Sequence, residues 1–108
     1  MERLPNIHPG DILLKDFLEP LELSVYRLAK DIGVDERRIW QIIRNERSIT
    51  QDTAIRLGLY FETTPHLWLG LQADYDAEEA VKKMDSYRPY VKRSQVAAAK
   101  FDRYRQAA

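Results

Sequence analysis

Ser24-Val25-Tyr26-Arg27-Leu28-Ala29-Lys30-Asp31-Ile32-Gly33-Val34-Asp35-Glu36-Arg37-Arg38-Ile39-Trp40-Gln41-Ile42-Ile43-Arg44-Asn45 is the stretch that decides the fold. Two short amphipathic helices fit it, one on each side of Gly33. Ser24 is a candidate N-cap, its hydroxyl placed to accept from an unpaired N–H of the first turn. Leu28 and Ile32 stand four apart and share a helix face. Ala29 lies beside them, where two crossing helices approach closely. Gly33 ends the first helix, because a reversal there calls for a positive φ that glycine adopts at little cost. Val34 fills the corner. Asp35 or Glu36 opens the next helix, where negative charge suits the helix dipole. Ile39, Ile42 and Ile43 form the buried stripe of that second helix. The pattern is that of a helix-turn-helix, which lays its second helix in the DNA major groove.

The opposite face follows from a rotation of about 100° per residue. With the isoleucines inward, Arg37, Gln41 and Arg44 point outward. Arg38 and Asn45 lie on one shoulder, and Trp40 on the other, where it reads as a flank-packing residue. Arginine pairs bidentately with guanine edges, and glutamine or asparagine with adenine edges. Arg37, Gln41, Arg44, Arg38 and Asn45 are therefore the candidate base readers. Ser24, Tyr26, Arg47 and Ser48 sit at the start of the first helix and in the loop after the second, and are the candidate phosphate contacts. A helical hairpin with a solvated charged face is the competing reading.

Composition agrees with a small binding protein. A chain of 108 residues buries a modest core as one domain. It has no cysteine, so disulfides and thiolate metal sites do not apply and a reducing compartment is expected. Met1-Glu2-Arg3-Leu4-Pro5-Asn6 carries no apolar run of the signal-peptide kind, and no segment approaches the length of a membrane span. A cytoplasmic protein is expected. Net charge is zero, yet it is unevenly spread: −3 over residues 1–23, +2 over 24–50, −5 over 51–81 and +6 over 82–108. The distribution matters more for phosphate attraction than the total.

The rest of the chain reads as helices with sharp punctuation. Ile7-His8-Pro9-Gly10 reads as a loop leading into a helix over residues 11–18, with Leu14, Phe17, Leu18 and later Leu21 inward. Glu19-Pro20 stops it. After a loop over residues 45–50, Thr50 caps a helix to about Phe61 that carries Ala54, Leu57 and Phe61 on one face. Thr63-Thr64-Pro65 is a second start signal, with Pro65 at the first position of a helix over residues 65–81. No stretch alternates as a strand, so the expectation is an all-α, five-helix domain.

The fifth helix has apolar residues on more than one side. Leu67 and Leu69 point nearly opposite ways at helical spacing, and Trp68 and Leu71 add to the spread. The domain core covers one side. A second copy of the chain is expected on the other, with Leu67, Trp68, Leu69 and Tyr75 at the dimer interface and Gly70 allowing close approach. Cover by the connecting loop and tail is the alternative.

Several further segments carry a resemblance. His8-Pro9-Gly10-Asp11-Ile12-Leu13, Phe17-Leu18-Glu19-Pro20-Leu21, Tyr26-Arg27-Leu28-Ala29, Thr50-Gln51-Asp52-Thr53-Ala54-Ile55-Arg56-Leu57 and Trp68-Leu69-Gly70-Leu71-Gln72-Ala73-Asp74-Tyr75-Asp76 occur in this order. Together they resemble the HigA, or VapI-type, antitoxins of the lambda-repressor-like (XRE) helix-turn-helix class, over about residues 7–80. The resemblance implies a dimeric repressor of its own operon that also neutralises HigB, a RelE-like ribosome-dependent mRNA-cutting toxin. Gly70 departs from the family, which often has asparagine there. The basic tail from Lys82 lies outside the matched region. Its last part, residues 94–108, can form a helix with Val96, Ala97, Phe101 and Tyr104 along one side. Packing on a dimer, touching a partner and disorder are all open to it.

The domain organisation expected is a DNA-binding unit with its dimerisation helix over residues 1–81, and a basic extension over 82–108. An enzyme is not expected. His8 and His66 are the only histidines and neither stands at metal-ligand spacing. His8 belongs to a structural opening, and His66 lies in an exposed first turn. The sequence holds no nucleophile–base pair and no glycine-rich phosphate loop. Neither a cofactor nor a metal is expected. The partners expected are a palindromic DNA operator and a toxin. The toxin is expected at the acidic first helix, at Asp16 and Glu19, because the family's toxins are basic RNA binders. Two alternatives stay open: a stand-alone regulator of the same class, and an interaction module that has lost DNA binding, for which Asp35 and Glu36 near the reading helix speak.

Overall fold

The structure, a computed structural model, describes residues 6–105. Helix α1 (Pro9–Ile12) widens directly into a π-helix over Leu13–Leu18. It is followed by α2 (Val25–Ile32), α3 (Glu36–Ile43), α4 (Gln51–Phe61) and the long α5 (Pro65–Tyr87). A 3-10 turn over Arg88–Tyr90 leads to α6 (Gln95–Lys100) and α7 (Asp102–Arg105). No strand occurs among the described residues, and the all-α reading holds.

Four successive helical segments end alike. Glu22, Gly33, Asn45 and Glu62 each take a left-handed conformation, with φ of 53°, 76°, 63° and 57°. The next residue then donates its N–H to the carbonyl five positions back. Leu23 bonds Leu18 at 2.9 Å, Val34 bonds Ala29 at 3.0 Å, Glu46 bonds Gln41 at 2.8 Å, and Thr63 bonds Gly58 at 3.0 Å. These closures satisfy last-turn carbonyls that would otherwise lack a partner. The starts are equally regular: Ser24, Asp35 and Thr50 accept from Arg27, Arg37 and Thr53 backbone N–H groups. Short helices with both ends fixed leave little freedom in where their faces point.

The core lies between α1 with its π-helical continuation, the α2–α3 pair, α4 and the first half of α5. Leu13, Leu28, Ile39, Ile42, Ala54, Leu57 and Trp68 have no exposed surface. Ala29 is buried at the α2–α3 crossing, as its spacing predicts. The Trp68 ring lies 4.8 Å from Phe17 at a tilt of 50°, Phe17 lies 4.8 Å from Phe61 in turn, and the Trp68 indole N–H donates to Thr63 Oγ1 at 3.0 Å. A large ring with its one polar atom satisfied is a strong source of stabilisation.

Four expectations are corrected. The first helix begins at Pro9, two residues early, because His8 caps it: Nδ1 accepts from the Gly10 N–H at 2.9 Å. Leu21 is 60% exposed rather than inward, because the chain is already reversing toward Glu22. Its core place goes to Leu13, buried with Leu18 at the two ends of the π-helical segment. Helix α5 runs to Tyr87 rather than ending near Val81. The tail helix read over residues 94–108 is split at Phe101 into α6 and α7, with Val96, Phe101 and Tyr104 exposed. Its last residues, 106–108, and the start over residues 1–5 lie outside the described residues.

Gly10 places α1 directly on the last turn of α3. A Cβ built there would collide with the Ile42 carbonyl oxygen and sit 3.0 Å from Ile43 Cα. Both obstacles are backbone, so neither can rotate aside. Gly10→Ala is expected to cost about 1–3 kcal/mol, as overpacking does, and to weaken DNA binding further by displacing α3. Urea unfolding with operator titration checks both; wild-type values would show that the two backbones do not touch.

Candidate nucleic-acid interface

Helix α3 presents the surface that the sequence marks for base reading. Arg37 and Arg44 are exposed, and Gln41 is half-buried between them. The Gln41 amide is engaged: its Oε1 accepts from Arg47 Nη1 at 3.1 Å. Arg44 lies over Trp40, its guanidinium carbon 5.5 Å from the ring centroid. Trp40 donates from its indole N–H to Glu36 Oε1 at 3.3 Å, so it packs along the helix flank as read.

The shoulder residues behave differently from the outward trio. Arg38 is held by Asp52 at 2.7 Å, and Asp52 is also bound by Arg56 Nε at 3.0 Å. Hydrogen bonds from Arg38 and Arg56 hold the Asp52 carboxyl below its usual range. Arg56 continues to the Ile32 carbonyl at 2.7 Å, at the C-terminal end of α2. Arg38 thus joins the reading helix to α4 instead of projecting freely. Asn45 is the residue at which α3 stops, in the left-handed conformation that asparagine tolerates better than most.

The phosphate candidates surround this face. Ser24 caps α2 by accepting at 3.0 Å, which leaves its hydroxyl proton for a phosphate oxygen. Tyr26 is 58% exposed, with Lys30 Nζ 6.0 Å from its ring centroid. Arg47 and Ser48 are exposed in the loop after α3. The acidic candidates Asp16 and Glu19 are exposed, on the π-helical segment and at its end.

On α5, Leu67 and Leu69 are exposed and Tyr75 is half-buried. A Cβ at Gly70 would meet nothing within 4 Å, so that backbone faces open space. Trp68 is a correction. It is wholly enclosed by its own chain and has no surface to share with another copy.

No family model matches the chain. Individual relatives do. Virulence-associated protein I of Dichelobacter nodosus is 43% identical over 83 residues, which cover 77% of each chain. The Pseudomonas aeruginosa antitoxin HigA, solved with the higBA promoter, has a TM-score of 0.75 and 34% identity over 82% of this chain and 97% of its own. A HigA-family addiction module antidote protein from Coxiella burnetii has a TM-score of 0.74 and 37% identity, over 84% of this chain and all of its own. The chain belongs to the HigA-type antitoxin family.

In this HigA-type chain, three supports of the reading helix escape sequence reasoning. Gly10 reads as turn punctuation. The Asp52–Arg56 clamp looks like an ordinary pair four apart on α4; its reach to Arg38 and Ile32 is tertiary. Gln72 is the third: buried on α5, it accepts from the Ile49 N–H at 2.8 Å and donates to Asp76 at 3.0 Å. A buried amide inside an apolar run is the signal that marks it.

His8 ties the site to α5. Its buried ring meets Tyr75 edge-on at 4.8 Å, and its Nδ1 holds the Gly10 N–H. Burial pushes the imidazole below the ordinary value of 6.5, against an opposing pull from Asp11 and Asp76. The folded state keeps His8 neutral while the unfolded chain takes up a proton. The resulting stability is complete above the ordinary value and is lost as pH falls below it. The melting temperature is expected to drop between about pH 7 and about pH 5. His8→Asn keeps a capping oxygen without the titration, and should flatten that part of the profile. An equally steep profile in the variant would assign the pH effect elsewhere.

Proposed function

We propose that this chain is a DNA-binding repressor and the antitoxin of a type II toxin–antitoxin pair. It reads a palindromic operator of its own genes and neutralises a HigB/RelE-like toxin. The outward side of α3 carries the reading: Arg37, Gln41 and Arg44 stand together on a helix whose far end rests on α1 backbone. Asp35 and Glu36 do not argue against it. Asp35 is the α3 N-cap and Glu36 anchors Trp40, so both acids have structural work. That removes the observation favouring an interaction module without DNA binding.

Two copies meet through α5, with Leu67, Leu69 and Tyr75 near a two-fold axis, and present their α3 helices about 34 Å apart. In this reading residues 1–81 hold the DNA-binding and dimerisation functions and residues 82–108 the basic extension, with α5 crossing between them. Asp16 and Glu19 belong to the π-helical segment and its end rather than to α3, and a basic toxin bound there is proposed to leave the operator accessible. Among the described residues no helix is long and apolar enough to cross a membrane, and the proposed work is cytoplasmic binding rather than catalysis.

Binding to DNA upstream of its own gene tests the reading. Gln41→Ala should cost about 1–3 kcal/mol and relax preference at one base position per half-site. Arg47→Ala should weaken all sequences alike and lower the salt dependence. No detectable operator binding by the wild-type chain would refute the repressor.

The antitoxin half is tested by growth rescue from a co-expressed toxin encoded beside the gene. Reversing Asp16 and Glu19 to lysine should reduce rescue while operator binding persists. Full rescue by that variant would move the toxin contact to another surface.

A further inference from the structure

The polar side chains on and beside the outward side of α3 are held in different ways. Arg38 is committed to Asp52, and the Gln41 amide oxygen accepts from Arg47. Arg44 is held without using a donor. Its guanidinium carbon lies 5.5 Å from the centre of the Trp40 ring, and among the described residues no hydrogen bond or ion pair ties its side chain. The attraction is between a positive charge and the electron-rich ring. The N–H donors of the guanidinium therefore stay available.

The ring is itself held. Trp40 is 39% exposed, and its indole N–H donates to Glu36 Oε1 at 3.3 Å. Glu36, Trp40 and Arg44 stand four apart, so they follow one another along a single flank of α3. The backbone beneath Arg44 is equally fixed. Its N–H donates to the Trp40 carbonyl at 3.0 Å, and the Ile42 carbonyl and Ile43 Cα just before it lie against Gly10. A free arginine samples many rotamers and loses that freedom on binding. A ring beside it removes part of this cost before DNA arrives. Bidentate pairing with guanine O6 and N7 needs the planar fork in one orientation. We infer that Trp40 is a positioning residue for base recognition, which pre-orders Arg44 and so sets a guanine preference at one base pair of each half-site. The inference rests on the operator reading proposed above. Arg37 is the internal control, because among the described residues its side chain has no partner to order it.

Full-length variants are titrated against the duplex upstream of the chain's own gene and against duplexes with single base pairs exchanged. Arg44→Ala identifies the base pair that Arg44 reads. Trp40→Leu should lower operator affinity about fivefold and reduce discrimination at that same base pair, while preference at the base pair read by Arg37 is kept. The slope of affinity against salt should stay that of the wild type, because no phosphate contact is lost. Trp40→Phe keeps a ring and should restore most of the preference. In an Arg44→Ala background, Trp40→Leu should have no further effect. Trp40 is at the surface, so the melting temperature should hold; if the leucine variant melts early, Trp40→Gln repeats the comparison. A loss spread over every base pair, a reduced salt slope, or the same loss with and without Arg44 overturns the inference, because the ring then touches DNA itself or merely supports the helix. So does an Arg44→Ala variant that keeps every base preference. A wild-type chain that binds no operator refutes the repressor instead, an outcome distinct from these.

Discussion

The structure depends on one backbone-to-backbone contact, between Gly10 in α1 and the Ile42 carbonyl in the last turn of α3. It admits no side chain, so it fixes the distance between two helices more narrowly than apolar packing does. Interlocked side chains repack over tenths of an ångström, whereas a carbonyl in a closed helical turn does not. What surrounds the contact serves it. His8 holds the Gly10 N–H, Tyr75 buttresses His8, and Asn6 donates to the Tyr75 carbonyl at 3.0 Å. Helix α5 thereby touches the support of the reading helix at its N-terminal side. Through Gln72 and Ile49, α5 also holds the loop that follows α3.

The other side of α3 is held by charge. Exposed ion pairs are individually weak, and Arg38–Asp52 alone would be no exception. Arg56 changes the arrangement, because its guanidinium bridges Asp52 and the Ile32 carbonyl. A cation at a helix C-terminus meets the negative end of the helix dipole, so the clamp joins the end of α2, the flank of α3 and the start of α4. The reading helix is thus held by backbone on one side and by a charged bridge on the other.

The sequence shows these helices plainly where the signal is local. Ser24, Gly33, Asp35, Thr50 and Pro65 mark ends by side-chain chemistry that acts within a few residues, and each does so here. Ala29 and the isoleucines of α3 are legible because helical periodicity is geometric. Glu22 and Glu62 hide the ends they make, since nothing in a glutamate announces a positive φ. Leu13 enters the core because a π turn alters the helical period, and Leu21 leaves it because the chain is already reversing toward Glu22. In the site, the outward trio follows from rotation alone. The engagement of Arg38 by Asp52 spans fourteen positions and belongs to the fold rather than to the pattern. Trp68 sits inside because Thr63 and the phenylalanines enclose it, which no local rule supplies.

Arg37, Gln41 and Arg44 carry almost none of the packing. The helix bearing them is stopped by a backbone turn at Asn45, capped by Asp35 and supported from beneath by Gly10, none of which consults the outward side chains. Their replacement leaves the stability of the domain nearly untouched, as surface changes away from caps and clamps usually do. On the proposed reading, in which these three side chains meet the bases, lineages change target sequence by substitutions on this face alone, with no intermediate that unfolds. Two related copies in one cell can diverge to separate operators within a few substitutions, while the scaffold beneath them stays the same.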